Sequence, residues 1–108
     1  FRAAIADLAR EEDVAALVPA AKAALGPIGV LVNNASTFER DEWHDATRAS
    51  WDMHLEPNLR APFVLTQGFA AQAPEPGRDA QGEPVARALV VNMIDQRVRK
   101  PTPEFMTY

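Results

Sequence analysis

The sequence of 108 residues contains no cysteine, which excludes disulfides, thiolate nucleophiles and zinc sites built on cysteine. It also has no apolar run long enough to cross a membrane. Acidic residues outnumber basic ones, and the net charge of -4 argues against a protein that binds the phosphate backbone of nucleic acids. We therefore expect a cytoplasmic protein whose partners are small molecules rather than nucleic acids or membranes.

Histidine is also scarce, with only His44 and His54 in the chain. The two are not spaced as a metal-binding pair and no pattern of acidic ligands surrounds them, so we predict no metal site. We expect both histidines to lie at the surface or at the flank of a helix. The two tryptophans, Trp43 and Trp51, are expected to be packing residues.

One helix is predicted in EEDVAALVPAAKAALG, where apolar residues recur at helical spacing and acids cluster in the first turn. Gly26 is expected to end this helix, and Pro19 is expected to disturb it. A second helical region is predicted to begin near Arg48, capped by Thr47 or Asp45. Prolines 57 and 62 are expected to break or bend that region into two segments.

Three strands are predicted around these helices. FRAAIADL contains the end of one, and the continuous apolar runs IGVLVNN and ARALVVNMI are typical of parallel strands buried on both faces. The stretch APEPGRDAQGEP is expected to be an exposed loop, and Pro103 to open a further helix. The order strand, helix, strand, helix, strand favours an α/β fold of one domain with right-handed crossovers.

Polar or small residues follow each predicted strand, in Ala6-Asp7-Leu8, in the segment 33–36 and in the segment 92–95. In open α/β sheets, ligands bind at the carboxyl ends of the strands. Taken singly, an Asp or Asn after a strand is usually a turn former, Asp95 could be a helix-capping acid, and Tyr108 could be a packing aromatic. The joint pattern, rather than any one residue, indicates a ligand site.

That joint pattern resembles the short-chain dehydrogenase/reductase family over essentially all 108 residues. LVNNAS is similar to the family motif NNAG, with Ser36 in place of the last Gly. Asp7 matches the acidic residue that hydrogen-bonds adenine in this family, Asn58 in EPNLRAPFVLTQ matches the helix Asn that holds a water of the proton relay, and Tyr108 matches the catalytic Tyr. The resemblance implies a Rossmann-like, doubly wound parallel sheet over residues 1–108. It also implies a cofactor site formed by Asp7, Leu8, Asn34, Ala35, Ser36, Asn92 and Met93.

Asp95 stands where most of this family carries a catalytic Ser, thirteen residues before Tyr108. Pteridine reductases and dihydromonapterin reductases resemble this sequence in placing Asp there, and NNASTFERD is similar to their loop after the NNA motif. This resemblance favours NADP(H) over NAD(H) and implies reduction of a pterin-like C=N bond or of a carbonyl. Asn58, Asp95 and Tyr108 would then be catalytic, and Phe38 would contact the substrate beside Asp95 and Tyr108.

The chemistry of an acid beside a phenol agrees with a reductase. A free phenol has a pKa of about 10 and donates protons poorly unless its surroundings tune it. Asp95 can exchange a proton and can pair with the N–H groups of a pterin ring, and its charge disfavours a phenolate at Tyr108. The nearby basic residues Arg97, Arg99 and Lys100 are expected to form a solvated loop or to attract a cofactor phosphate or an acidic substrate group.

Several parts that the resemblance requires are not in these residues. They include the Gly-rich loop that binds pyrophosphate, the second strand, and the Lys four positions after the catalytic Tyr. We therefore expect a central piece of a longer enzyme, inactive alone, whose full-length form is a homotetramer. Two alternatives remain open: a catalytically dead relative that serves as a binding or scaffold module, and a flavodoxin-like binding domain.

Overall fold

The computed structural model describes all residues from Phe1 to Tyr108 and has the predicted α/β class of fold. Helices α1, α2 and α3 span Glu11–Leu25, Arg48–Leu55 and Ala61–Gln72. Strands β1 to β4 span Val30–Asn33, Gly77–Arg78, Pro84–Val85 and Leu89–Asn92. A π-helical segment, Glu56–Arg60, joins α2 to α3, and a 3-10 turn covers Gln96–Val98.

Strands β1 and β4 form a parallel pair, in register from Val30 opposite Leu89 to Asn33 opposite Asn92. The chain passes from one strand to the other through α2 and α3, which makes a β-α-β unit. Both predicted apolar strands are thereby confirmed. Because parallel strands end at the same edge of a sheet, the polar residues that follow β1 and β4 come together there.

One face of this two-stranded sheet is open. Val30 and Val32 are 56% and 54% exposed, whereas Leu31 is half-buried and Asn33 is buried. Successive side chains of a strand point to opposite faces, so this alternation means that only one face is covered. The expectation that both strands would be buried on both faces is therefore wrong for this chain, because the helices that pack on the sheet reach one side only.

No strand forms at the start of the chain, where Phe1 and Ile5 are fully exposed. The strand predicted in FRAAIADL is therefore absent. A strand needs a neighbour for its backbone hydrogen bonds, and β1 and β4 pair only with each other. The chain first becomes regular at α1, whose first turn contains Glu11, Glu12 and Asp13.

Helices α1 and α3 pack together and contain the apolar core, which consists of Val14, Ala61 and Phe69. They approach each other closely at Gly68, where a Cβ atom would lie in ordinary van der Waals contact with Cβ of Val18, at 3.5 Å. Helix α1 continues through Pro19 and ends at Gly26, which has a φ of 84°. The predicted helix and its end are confirmed.

The second helical region starts as predicted, with Thr47 as its N-cap. The Thr47 hydroxyl accepts from the backbone N–H of Ser50, and the Ser50 hydroxyl accepts from the backbone N–H of Thr47. Asp45, the alternative cap, instead accepts from the backbone N–H of Glu42 at 2.7 Å. The prolines do divide the region into two α-helices, and the π-helical segment between them keeps the chain helical.

The exposed loop predicted in APEPGRDAQGEP contains a short antiparallel hairpin of β2 and β3. The helix predicted after Pro103 does not form. Residues 104–106 instead run parallel to the chain at Asp41. The backbone N–H of Asp41 donates to the carbonyl of Glu104 at 3.1 Å, and the backbone N–H of Met106 donates to the carbonyl of Asp41 at 3.3 Å. Those backbone groups are therefore not free to form a helix.

No helix combines the length and the apolarity that a membrane crossing requires.

Candidate active site

A cavity of about 680 Å³ lies at the carboxyl ends of β1 and β4. The position is the one expected for a ligand site in an open α/β sheet. Its walls include seven of the residues singled out from the sequence: Ala35, Ser36, Asn58, Asn92, Met93, Asp95 and Tyr108. The fold therefore brings together the candidate catalytic residues and most of the candidate cofactor residues.

Asp95 and Tyr108 are in direct contact in this cavity. The Tyr108 hydroxyl donates to Oδ2 of Asp95 at 3.2 Å. The other carboxylate oxygen, Oδ1, accepts from the backbone N–H of Arg97 at 2.8 Å and so caps the 3-10 turn. The capping role considered for Asp95 is thus confirmed on one oxygen, while the other contacts Tyr108 and its catalytic role stays a prediction.

The surroundings of Asp95 favour its charged form. The backbone N–H of Arg97 lowers the pKa of Asp95 below its usual value, and the Tyr108 hydroxyl and the Arg97 guanidinium lower it further, against partial burial, which raises it. The guanidinium lies 3.5 Å from Oδ2. At neutral pH, Asp95 is therefore a carboxylate that accepts the phenol proton in a hydrogen bond.

Aromatic rings and one cation lie beside Tyr108; Phe105 and Arg97 line the cavity, whereas Phe38, the predicted substrate contact, does not. Phe38 stacks on Phe105 with ring centroids 4.1 Å apart and meets Tyr108 edge-on at 4.8 Å. The Arg97 guanidinium carbon lies 4.5 Å from the Phe38 ring centroid and 4.9 Å from that of Phe105. Arg97 is therefore held by Asp95 and by two rings, and it is not the freely solvated residue that the sequence suggested, whereas Arg99 and Lys100 are exposed.

Asn58 lies in the π-helical segment and faces the loop after β1. Its side-chain Oδ1 accepts from the backbone N–H of Thr37 at 2.8 Å, and its Nδ2 donates to the Thr37 carbonyl at 2.7 Å. These two bonds fix the backbone next to Phe38. An amide oxygen has two lone pairs and an amide nitrogen two protons, so Asn58 keeps one acceptor and one donor position for a water in the cavity.

Polar and small side chains line the cavity at the ends of β1 and β4. Nδ2 of Asn33 donates to Oδ1 of Asn92 at 2.8 Å, which ties the two strand ends together. Oδ1 of Asn33 is buried without a partner and remains available as an acceptor. The small side chains of Ala35 and Ser36 leave the backbone after β1 open to close approach.

Not every predicted cofactor residue reaches this cavity. Asn34 is exposed and does not line it. Asp7 caps the turn before α1, where its Oδ1 accepts from the backbone N–H of Ala9 at 2.9 Å, and Leu8 packs near the start of that helix. The adenine-binding role of Asp7 and Leu8 therefore stays a prediction.

Three buried polar residues next to the site were not identified from the sequence as functional. Asp41, His54 and Thr107 are 7%, 1% and 2% exposed. The expectation of a surface or flanking position is wrong for His54, which accepts a hydrogen bond from the loop after β1 and contacts Thr107. The same expectation is correct for His44, which is exposed. The packing role expected of Trp43 and Trp51 is wrong, since they are 79% and 44% exposed.

Comparison with known proteins agrees with the fold and the motifs. The sequence model of the family described as short chain dehydrogenase matches residues 1–99. The chain belongs to this family, and the resemblance inferred from NNAS, Asn58, Asp95 and Tyr108 is confirmed at that level.

Among solved structures, the chain is similar to FolM alternative dihydrofolate reductase 1 from Brucella canis, in complex with NADP. The two share 41% sequence identity with a TM-score of 0.79, over 95% of this chain and 38% of that one. It is also similar to a blue fluorescent protein from a metagenomic library, in complex with NADPH, at 30% identity and a TM-score of 0.77, over 95% of this chain and 38% of that one. The predicted likeness to the branch of pterin-reducing enzymes is consistent with the first of these.

Among curated proteins, the chain is 40% identical over 88 residues to a probable galactose dehydrogenase of Rhizobium meliloti (strain 1021). The match covers 82% of this chain and 34% of that protein. The chain thus spans about a third of the length of this relative.

Proposed function

We propose that this chain forms part of an NADP(H)-dependent reductase in which Tyr108 donates a proton to a pterin-like C=N bond or to a carbonyl. The observation that carries the proposal is the hydrogen bond from Tyr108 to Asp95 in a cavity at the ends of β1 and β4. Tyr108 can act as an acid when its hydroxyl turns from the Asp95 carboxylate to a substrate atom in the cavity, and the phenol proton then passes to that atom.

Asp95 acts in this scheme as an acceptor that orients the reaction partners. The lowered pKa of its carboxyl group leaves no proton on Asp95 at neutral pH, so Tyr108 supplies the proton that the sequence analysis assigned to both residues. The carboxylate can also accept from a ring N–H or amino group of a pterin through the remaining lone pair of Oδ1, because Oδ2 already accepts from Tyr108 and Arg97. This complementarity favours a pterin-like substrate over a simple carbonyl, which offers only an acceptor.

Phe38 is suited to hold a flat substrate ring. It is 40% exposed, its position is fixed by the Phe105 stack and by Arg97, and it lies edge-on to Tyr108. Phe38 does not itself line the cavity, so a substrate ring that stacks on it would extend beyond the cavity next to the Tyr108 ring. Arg97 is the one cationic side chain of the cavity wall, and it would remain paired with Asp95 during this contact.

The nicotinamide end of the cofactor would be held by Ala35, Ser36, Asn92 and Met93. When bound, NADPH supplies the hydride, while this chain contributes position and electrostatics. Asn58 would hold the water that returns a proton to Tyr108 through its remaining donor and acceptor positions. The choice of NADP(H) over NAD(H) is supported by the NADP and NADPH complexes of the similar solved structures.

The test uses the full-length protein and follows the loss of absorbance of NADPH or NADH with dihydropterins and with a panel of carbonyl compounds. We expect oxidation of NADPH with dihydropterins and a fall in kcat of about 100- to 10,000-fold on Tyr108→Phe, which keeps the ring and removes the acidic proton. Turnover that persists in Tyr108→Phe would refute the assignment of the proton donor. Turnover of carbonyls alone would refute the pterin preference and leave the rest of the proposal standing.

A further inference from the structure

We propose that Asp41, Thr107 and His54 form a buried hydrogen-bonded clamp that positions the Tyr108 phenol relative to Phe38. The inference rests on the proposed function of Tyr108 as proton donor. The three residues come from three parts of the chain: the loop after β1, the segment that ends at Tyr108, and helix α2. His54 and Thr107 line the cavity, and the His54 ring lies edge-on to the Tyr108 ring at 5.8 Å. None of the three hydrogen-bonds to Asp95 or to the Tyr108 hydroxyl, so each is a positioning residue.

The directions of the hydrogen bonds in the clamp follow from one donor that cannot be reversed. The backbone N–H of Glu39 can only donate, and it lies 3.0 Å from Nε2 of His54. In a neutral imidazole, Nδ1 then carries the proton and donates to Oγ1 of Thr107, 2.7 Å away. The Thr107 hydroxyl in turn donates to Oδ2 of Asp41. The chain of donors thus runs without a break from the loop after β1 to the Asp41 carboxylate.

The end of the clamp at Asp41 holds the segment 104–108 along its backbone. Asp41 forms a parallel bridge with Phe105, and its Oδ1 accepts from the backbone N–H of Thr107 at 3.3 Å. The Thr107 hydroxyl lowers the pKa of the Asp41 carboxyl group, so Asp41 is a carboxylate at neutral pH. Thr107 is therefore fixed by both its backbone and its side chain. Tyr108, the next residue, is thereby held next to a fixed neighbour in the chain.

The end of the clamp at His54 determines where Phe38 lies. The residue that donates to His54, Glu39, directly follows Phe38 in the chain. One imidazole ring therefore contacts both the loop that presents Phe38 and the segment that presents Tyr108. The edge-on separation of 4.8 Å between the Phe38 and Tyr108 rings is the distance that this arrangement sets.

The burial of the clamp supports a positional role. Its three side chains are less than a tenth exposed, and every polar atom of the clamp that is fully buried has a partner. Polar groups that are buried at this depth are costly unless paired, and apolar side chains of similar volume can stabilise a fold equally well. What the polar groups add is direction, because a hydrogen bond restricts both distance and angle.

The test compares Thr107→Val with Thr107→Ser in the full-length protein. Valine keeps the shape and loses the hydroxyl, whereas serine keeps the hydroxyl and loses a methyl group. We expect Thr107→Val to lower kcat by about 10- to 100-fold with little change in KM, since misplacement of a catalytic group by about 1 Å costs about 100-fold. Thr107→Ser should retain kcat within about threefold of the original protein, because the donor chain is intact.

A second readout reports position without turnover. Fluorotyrosine is incorporated, and the ¹⁹F resonance of Tyr108 is assigned by its loss in Tyr108→Phe. We expect this resonance to move in Thr107→Val and to stay in Thr107→Ser, because the phenol ring lies against the edge of an aromatic ring. Should Thr107→Val fail to fold, His54→Gln provides the same comparison, since a glutamine amide can replace only one of the two imidazole contacts.

The outcomes separate the clamp from the proposed function. If Tyr108→Phe abolishes turnover while the Thr107→Val and His54→Gln variants that fold keep both kcat and the ¹⁹F shift, the clamp is refuted and the proposed function stands. If Tyr108→Phe is fully active, the proposed function fails, and the ¹⁹F comparison still decides whether the three residues position the ring. Loss of thermal stability in Thr107→Val with an unmoved resonance would reduce the clamp to a structural role and overturn the inference.

Discussion

Replacement of Asp95 by Asn removes the charge of the proposed site and almost nothing else. The asparagine Oδ1 can still accept from the backbone N–H of Arg97, so the cap of the 3-10 turn is retained. The other oxygen becomes an NH₂ group, which can only donate. It would then face both the Tyr108 hydroxyl and the Arg97 guanidinium, each of which donates to that position in the original protein.

The size of the effect follows from the bonds that this change reverses. The hydrogen bond from Tyr108 must turn around, so that the phenol accepts rather than donates, and the carboxylate no longer pairs with ring N–H groups of the substrate. Loss of one hydrogen bond to a charged group lowers kcat/KM by about 10- to 150-fold. Loss of both the substrate pairing and the phenol orientation should bring Asp95→Asn to the upper end of that range for dihydropterins.

The assay measures kcat and KM for a dihydropterin and for a carbonyl substrate in parallel, with thermal melting as the control for folding. We expect the dihydropterin reaction to lose more than the carbonyl reaction, because only the pterin offers N–H donors to the carboxylate. The melting temperature at neutral pH should fall modestly, since the cap remains but the Asp95 charge that Arg97 stabilises is lost. Equal losses on both substrates would refute the pairing with ring N–H groups, and unchanged kinetics on both would refute a role for the Asp95 charge.

Three further predictions test the site wall, the core and the titrating groups. Phe38→Ala should raise KM for a dihydropterin by about 5- to 150-fold, the range found for loss of a stacked base, whereas Phe38→Trp should keep KM close to the original value in the same assay. Phe69→Ala should lower the free energy of unfolding by about 3–5 kcal/mol in denaturant titration, because Phe69 is 3% exposed between α1 and α3, and Phe69→Leu should cost less. Asp41 and Asp95 both have lowered pKa values, so they stabilise the fold above the ordinary carboxyl value of about 3.9, and that contribution is lost as the pH falls through their folded values. Thermal melts from pH 7 to pH 3 should therefore show a steeper fall in melting temperature for the original protein than for Asp41→Asn. The Asp41→Asn variant should have the lower melting temperature at pH 7. Parallel curves of melting temperature against pH would contradict this.

The parts of the fold that were predictable from the sequence are those fixed by local signals. Thr47 followed by Ser50 forms a capping box, and Gly26 ends α1 with a positive φ, so both boundaries are encoded within a few residues. The burial of β1 and β4 was not predictable in this way. An apolar run indicates that a strand can be buried on both faces. Whether both faces are buried depends on helices and strands that lie elsewhere in the chain or in space.

The same distinction divides the site. Asp95 and Tyr108 were found because their spacing is a motif of the family, and they meet at 3.2 Å. Asp41 and His54 were missed because each meets Thr107 across more than fifty residues of chain, in the contacts Asp41–Thr107 and His54–Thr107. A single histidine in a helix carries no sign of its distant partner. The spacing of residues along the helix was the one available indication that His54 lies near the site. His54 is three residues after Trp51 and four before Asn58, so it shares a helical face with Asn58.

The two oxygens of Asp95 give a reason for aspartate at a position where the resemblance implies serine in most of the family. One oxygen caps the turn that carries Arg97, and the other accepts from Tyr108, so the two tasks do not compete. A serine has a single oxygen, and a bond to the Arg97 N–H would use part of its capacity to bond the phenol or a substrate. The cap also brings the Arg97 guanidinium to 3.5 Å from the carboxylate, where it lowers the pKa of Asp95 and keeps the group charged beside the phenol. Asp95 therefore both caps the turn and places beside itself the Arg97 guanidinium that stabilises its charge. A carboxylate held in this way can accept a second donor from a substrate without losing its contact with Tyr108, which a hydroxyl cannot do as freely.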